Sequence, residues 1–386
     1  MKTSKLTREN YVFPGTTYAL LILFIILFAA CKKDLAPTPE NDRLAVGQSA
    51  NGKEILPVIN VLAGGSIQAA VNAASGPTII KVAEGTYREA IVVEKPGIQI
   101  IGDGEVIIDN PGGANDGVRV RDAGDGFVLK HVTIQNFIRY GVIMIRADNF
   151  VLDHVITIND GEYGLFPIRC NNGIISHCVA TGHTDSGIYV GQSSDLEIMH
   201  CTAYGNVSGY EIENCSRVVA SFNKGYDNAA GALVFLLPGL NVKTSTDITL
   251  SNNNFSNNNR PNFSPPGSGF ENYIPSGSGI LIVGSNNTVI EKNIVNNNNF
   301  VGIATVSTLV LGALAGIPPA DILADIEPDP DGVRIIQNSV RGNGSAPPAG
   351  LPLPAADLLW DGSGTNNCWS DNKYSTSFPS ALPACN

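Results

Sequence analysis

The chain has 386 residues, 43% hydrophobic and 15% charged, with a formal net charge of −11. That balance excludes nucleic acid as a partner, and an acidic sugar polymer would need a local basic patch or a bridging cation. The length is large for one compact domain but not for a solenoid, which adds coils without enlarging its core cross-section.

In chain order, Lys2, Lys5 and Arg8 precede an apolar run from Tyr18 to Ala30. The run is too short to cross a bilayer, which takes about 20 residues, and a basic start with small residues before the break fits a signal peptide. Phe28-Ala29-Ala30-Cys31 looks like a lipobox, with Lys32-Lys33-Asp34 as the polar spacer. The resemblance implies a bacterial lipoprotein anchored by acyl chains on Cys31. The expected division is a signal peptide at 1–30, lipidated Cys31 and tether at 31–60, a solenoid at 61–342 and a C-terminal cap at 343–386. The location implied is the bacterial cell envelope, as an outer-membrane lipoprotein facing the periplasm or the surface, with membrane contact only through the lipid.

Gly64-Gly65-Ser66 leads into Ile67–Ala74, whose Ile67, Ala70, Val71 and Ala74 share one helical face with Ser66 as N-cap. A solenoid exposes unpaired backbone at its end, and this short helix is the expected cover. Beyond it one phrase keeps returning: DGVRVR, YGVIMI, YGLFPI, SGIYVG, SGYEIE, AGALVF, SGILIV and VGIATV each place a glycine before an alternating apolar strand. Those glycines fall at 117, 141, 164, 187, 209, 231, 279 and 302. A step of this length marks a solenoid. Each unit holds short β-branched runs separated by Asn, Asp, Gly and Ser, so parallel β-coils about 4.8 Å apart are expected rather than a leucine-rich repeat.

The arrangement resembles the right-handed parallel β-helix superfamily, which includes pectate lyases, polygalacturonases and mannuronan epimerases. The resemblance implies an all-β, single-stranded right-handed parallel β-helix of about ten coils, monomeric, with a short N-terminal helix and an irregular C-terminal cap. Through GHTDSGIYVGQS, GYEIEN and GALVFLLPGL the chain is also similar to a group of bacterial β-helix lipoproteins.

A second column runs through His131, His154, His177, His200 and Asn223, continued by Asn253, Asn293 and Asn338. His and Asn both donate and accept hydrogen bonds, so a structural ladder is expected there rather than a ligand site. His183 lies outside it. No CxxC or HxxxH spacing marks a metal site. Cys178 and Cys201, one repeat apart, read as buried thiols, and Cys368 with Cys385 in the tail as a disulfide.

Alternation after each glycine points Ile188 and Val190 into the coil and puts Arg119, Ile143, Phe166, Tyr189, Glu211, Glu213, Leu233 and Phe235 on the outer face. Arg139, Arg146 and Arg169 flank it toward the early coils, with His183 and Asp185 near the middle. The arginines are read either as paired with Asp160 and Glu162 or as an anion site, with Phe166, Tyr189 and Phe235 as exposed sugar platforms. The insertions 237–247, 254–277 and 307–332 wall this face.

The candidate catalytic set is therefore His183, Asp185, Tyr189, Glu211 and Glu213, and the candidate substrate-binding set Arg139, Arg146, Phe166, Arg169 and Phe235. Glu211 and Glu213 lie about 6.8 Å apart along a strand, near an inverting glycosidase's carboxyl spacing. The same pair can instead hold Ca²⁺; apart from that alternative no cofactor or metal is expected. A uronan lyase or epimerase needs a base, an acid and a charge stabiliser, roles open to His183, Tyr189 and Arg169. The resemblance constrains this: Tyr163-Gly164-Leu165-Phe166-Pro167-Ile168 keeps the frame of the epimerase YG-x-DPH motif but has Phe166 and Ile168 where Asp and His would stand. Gly182-His183-Thr184 lacks the second glycine of the polygalacturonase GHG, and no Asp-Asp occurs. The expected function is binding, and modification, of an acidic polysaccharide, with a non-catalytic glycan- or protein-binding module and a hydrolase as alternatives.

Overall fold

The computed structural model describes residues 55–386. The expected signal peptide, Cys31 and the tether up to residue 54 lie outside them. No helix among the described residues is long and apolar enough to cross a membrane.

Two parallel sheets run the length of a solenoid, one of 11 strands and one of 18. The 11-stranded sheet contains every glycine-led phrase, including Tyr163–Ile168, Ser186–Gly191, Ser208–Glu213, Ala230–Phe235 and Ser278–Val283. The early coils each add one long strand to the other sheet, as Val128–Gln135 and Val151–Ile158 do, and later coils add two, such as Ser194–Met199 and Thr202–Tyr204. Pairing joins counterparts one repeat apart: Ile143 to Phe166, Tyr189 to Glu211, Glu213 to Phe235. The expected architecture is borne out.

Why glycine leads each phrase is steric. A Cβ on Gly164 would lie 2.5 Å from the Gly187 carbonyl oxygen, and one on Gly231 would lie 2.6 Å from that of Gly279. Only a residue without a side chain lets the next rung approach that closely. Inside the coil, Ile188, Val190, Ile212 and their counterparts form one continuous core.

The turns are held by buried side-chain ladders. Asn253 Oδ1 accepts the Asn223 backbone N–H at 2.9 Å, and Asn293 and Asn338 repeat the contact on the rungs above. Cys201 belongs to this column, donating its N–H to Asn223 Oδ1. The histidines do not. His131, His154, His177 and His200 stack outside the coil at 4.7 to 5.2 Å between ring centroids, and the next ring is Phe222, 5.1 Å from His200. The expected continuation into Asn223 is thus off by one residue, because the coil shortens there from 23 residues to 22, as Thr202 pairing with Lys224 shows.

Both ends are closed. The helix Ile67–Ala73 buries Ile67, Ala70 and Val71, and the Ser66 side chain accepts from the Ala69 N–H. At the other end Ala356–Trp360 and Ser377–Phe378 extend the 11-stranded sheet, Trp360 packs on Trp369, and Cys368 is bonded to Cys385. Cys170, Cys178, Cys201 and Cys215 are buried free thiols.

Candidate functional site

The outer face of the 11-stranded sheet changes character along the stack. Over the late rungs it is a second apolar core, in which Leu233, Phe235, Leu281 and Val283 are covered by Ile274, Phe300 and Leu311. The segment 307–332 forms two short helices, Thr308–Leu314 and Pro319–Leu323, over this region. Phe235, expected to be an exposed sugar platform, is 1% exposed. Alternation gave its direction correctly, but the insertions cover it.

Over the middle rungs the face is acidic. Asp185 precedes the strand Ser186–Gly191, Glu211 and Glu213 lie on Ser208–Glu213, and a 3-10 turn at Gly269–Tyr273 lowers Glu271 onto them. Carboxylate oxygens of Asp185, Glu211 and Glu271 lie within 4.8 Å of one another, the residues being 7%, 4% and 5% exposed. Ser186 Oγ donates to Glu211 at 2.6 Å, and Ser208 Oγ to Glu271 at 2.8 Å. Tyr163 and Tyr189 lie beside this group, burial first and then the neighbouring Asp185 and Glu211 for Tyr163, and Glu213 and Glu211 for Tyr189, holding their phenols well above the usual range. Tyr189 has room because its hydroxyl lies over Gly191, where an added Cβ would be 2.0 Å away.

Among the described residues, no lysine or arginine forms an ion pair with Asp185, Glu211 or Glu271. Burial, with no cation to offset it, pushes the Glu211 carboxyl up to about 7. Asp185 is driven well above the carboxylate range by burial and then by Glu271 and Glu211, and Glu271 by burial and Glu211. At neutral pH the group thus shares protons among its oxygens, the condition for one carboxyl to act as acid while another acts as base. Every donor present is oxygen, the ligand set of a hard cation such as Ca²⁺ rather than of zinc.

The structure brings together four of the five expected catalytic residues, Asp185, Tyr189, Glu211 and Glu213. It does not bring His183. That ring is fully buried in an interior ladder, its backbone N–H donating to Asn206 and its Nδ1 2.7 Å from the Asp160 carbonyl, which accepts the ring proton. Burial depresses its pKa to about 4. Asp160, expected on the outer face, occupies the same ladder, with burial raising its carboxyl to about 8.

The expected arginine site is also dispersed. Arg139 pairs with Glu162 at 3.0 Å and lies over the Tyr140 ring, while Arg146 pairs with Asp122. Arg169 alone keeps a buried Nε without a hydrogen-bond partner. Arg146 and Arg169 do occupy equivalent corners, both with positive φ, but Arg146 is paired with Asp122. Phe166 stacks with Tyr140 (5.0 Å), Tyr163 (4.4 Å) and Tyr189 (4.5 Å), an aromatic strip that reaches the carboxyl group; Phe166 and Tyr163 are partly exposed, whereas Tyr140 and Tyr189, the latter expected to be an exposed sugar platform, are buried.

Sequence reasoning missed Glu271, and it placed Tyr163 on this face without giving it a role. Glu271 sits in an aperiodic insertion and no register places it. Tyr163 precedes the Gly164 phrase as Tyr140 precedes Gly141, and the two are paired on adjacent rungs.

Residues 116–236 match the family described as right handed beta helix region. The fold is that of the right-handed parallel β-helix superfamily. Among solved β-helices, the A-module of Azotobacter vinelandii mannuronan C-5 epimerase AlgE6 is similar with a TM-score of 0.61 at 17% identity, over 81% of this chain and 83% of that one. The AlgE4 A-module from the same organism gives 0.59 at 17% identity, over 79% and 82%. A periplasmic alginate epimerase, AlgG, gives 0.51 at 13% identity, over 83% and 76%. No curated protein sequence matches the chain.

Proposed function

We propose that this β-helix binds a cell-envelope polysaccharide along the Phe166 strip and modifies it by proton transfer at Asp185, Glu211 and Glu271, assisted by Tyr163, Tyr189 and Glu213. The observation that carries the reading is the convergence of three buried carboxyls, from two adjacent rungs and an insertion, within 4.8 Å. Their raised proton affinity suits acid and base roles near neutral pH. The similarity to epimerase structures supports a sugar polymer as substrate, with a uronan lyase or epimerase reaction preferred over hydrolysis. In this reading the sugar lies on the partly exposed aromatic strip, because stacking needs no charge and the arginines nearby, apart from Arg169, are paired. The protein is a monomer tethered in the bacterial envelope through Cys31, facing the periplasm or the cell surface.

A second reading is favoured by the depth of the carboxyls and their all-oxygen surroundings. Asp185, Glu211 and Glu271, with the Ser186 and Ser208 hydroxyls, would hold Ca²⁺ and so fix the insertion to the coil in a non-catalytic glycan-binding module. The ion would supply positive charge for a uronate carboxylate.

The test is a screen of purified protein against alginate, pectate and other uronans, read by ultraviolet absorbance of an unsaturated product and by sugar NMR for epimerisation. Turnover lost in Glu211→Gln supports the catalytic reading. Sugar retention without turnover, abolished by a chelator, establishes the second. Neither turnover nor retention on any uronan refutes both.

A further inference from the structure

The histidine ladder is chemically richer than its corner requires. Each of His131, His154, His177 and His200 has a left-handed backbone, with φ between 53° and 55°. Histidine tolerates that conformation, but the same corner on later rungs is filled by Phe222, Asn252, Lys292, Gln337 and Asp371, all with positive φ. Backbone geometry therefore does not demand imidazole. Ring stacking does not demand it either, since Phe222 continues the stack at 5.1 Å from His200. What four consecutive imidazoles add is a row of exposed nitrogen ligands.

One carboxylate is built into that row. Asp153 Oδ1 lies 2.9 Å from His154 Nδ1 and 3.3 Å from His177 Nδ1. It is fixed by the Ser176 hydroxyl at 2.9 Å and by Lys130, whose ammonium is 3.5 Å from Oδ2. His131, Asp153 and His154 each place one ligand atom within 4.8 Å of the other two. Both histidines are exposed and His154 stacks on His131 at 4.9 Å, so neither ring is walled in by protein on the side where a common ion would sit, about 2.0–2.1 Å from each bound nitrogen.

We propose that His131, Asp153 and His154, with His177 as a neighbouring ligand, form a surface site for a divalent transition-metal ion of the zinc, copper or nickel class. Imidazole with one carboxylate suits these ions, and solvent completes the coordination shell. Calcium is disfavoured there, because it takes oxygen ligands. The site is separate from the carboxyl centre and does not depend on the reading given for it.

The test uses the untagged full-length chain in detergent, titrated with Zn²⁺ alone by calorimetry, with Cu²⁺ electron paramagnetic resonance as a second readout. The expected result is saturable zinc uptake, weakened about tenfold or more in His154→Gln and in Asp153→Asn, with copper spectra showing imidazole nitrogen couplings. His200→Phe, which copies Phe222, should bind as the parent does. Circular dichroism confirms folding of each variant. The proposal is overturned by absence of saturable uptake, by uptake indifferent to His154→Gln, or by uptake lost in Glu211→Gln, which would assign the ion to the carboxyl centre.

Discussion

Replacing Asn253 with alanine should destabilise the coil by about 2–6 kcal/mol. Its Oδ1 accepts the Asn223 N–H at 2.9 Å, and its Nδ2 donates to the Ala220 carbonyl at 3.0 Å and to Asn293 Oδ1 at 3.0 Å. Asn293 Oδ1 keeps a partner, since it also accepts the Asn253 backbone N–H. The other two groups lose theirs in a site that is 1% exposed. A buried polar group left unpaired costs about 1–3 kcal/mol, and two of them set the range. Asn372→Ala, at the last rung of the same ladder, should cost about 1 kcal/mol, because its contact to Asn338 is only part-buried and water can substitute. The assay is equilibrium urea unfolding followed by circular dichroism, with a constant slope required before midpoints are converted to free energies. Equal losses at the two positions, or a loss below about 1 kcal/mol at Asn253, would refute the claim that the ladder holds the turns through hydrogen bonds.

Gly231→Ala should lower stability by about 1–3 kcal/mol as overpacking, because the new Cβ would sit 2.6 Å from the Gly279 carbonyl and 2.8 Å from Asn258 Nδ2; an unchanged unfolding midpoint would contradict it. The carboxyl centre should make the protein less stable at about pH 8 than at about pH 5.5. Burial raises Glu211 to about 7 and Asp185 and Glu271 well above their ordinary range. The folded form thus keeps protons that the unfolded chain releases near pH 4, and this stabilisation is lost as pH rises through 7. Glu211→Gln should flatten the loss in a series of thermal melts, and a variant melting profile parallel to the parent's would refute the assignment. His183→Asn should fold and retain any sugar binding or turnover, because asparagine serves the same ladder at Asn206 and Asn228; selective loss of turnover would return His183 to the centre.

Most of the scaffold was readable because its constraint is periodic. A missing Cβ is needed wherever one rung presses on the next, so glycine recurs at the repeat length and sets the register of every strand after it. The same register placed Asp185, Tyr189, Glu211 and Glu213 on one face. It misled at the histidine column, where a shortening by one residue carried the count from an outer corner, now Phe222, to an inner one at Asn223. His183 was misplaced although its signal existed: Asn206 and Asn228 follow at repeat spacing and mark the interior turn. Phe235 shows a different limit, since alternation tells which way a side chain leaves the coil and not whether another layer covers it. The apolar late rungs, with Ile274 and Leu311 in the insertions and Leu353 in the C-terminal segment, were the available sign of that layer. Glu271 had no such sign, because its place opposite Ser208, 63 residues away, depends on how an aperiodic segment folds.

The asparagine ladder links successive rungs across 30, 40, 45 and 34 residues with the same backbone-to-amide contact each time. Added chain between two steps therefore leaves the steps themselves unaltered. Such a rod can acquire or discard whole excursions at its corners while its spine stays continuous, so new binding surfaces can be grown on one side at little cost to the structure that carries them.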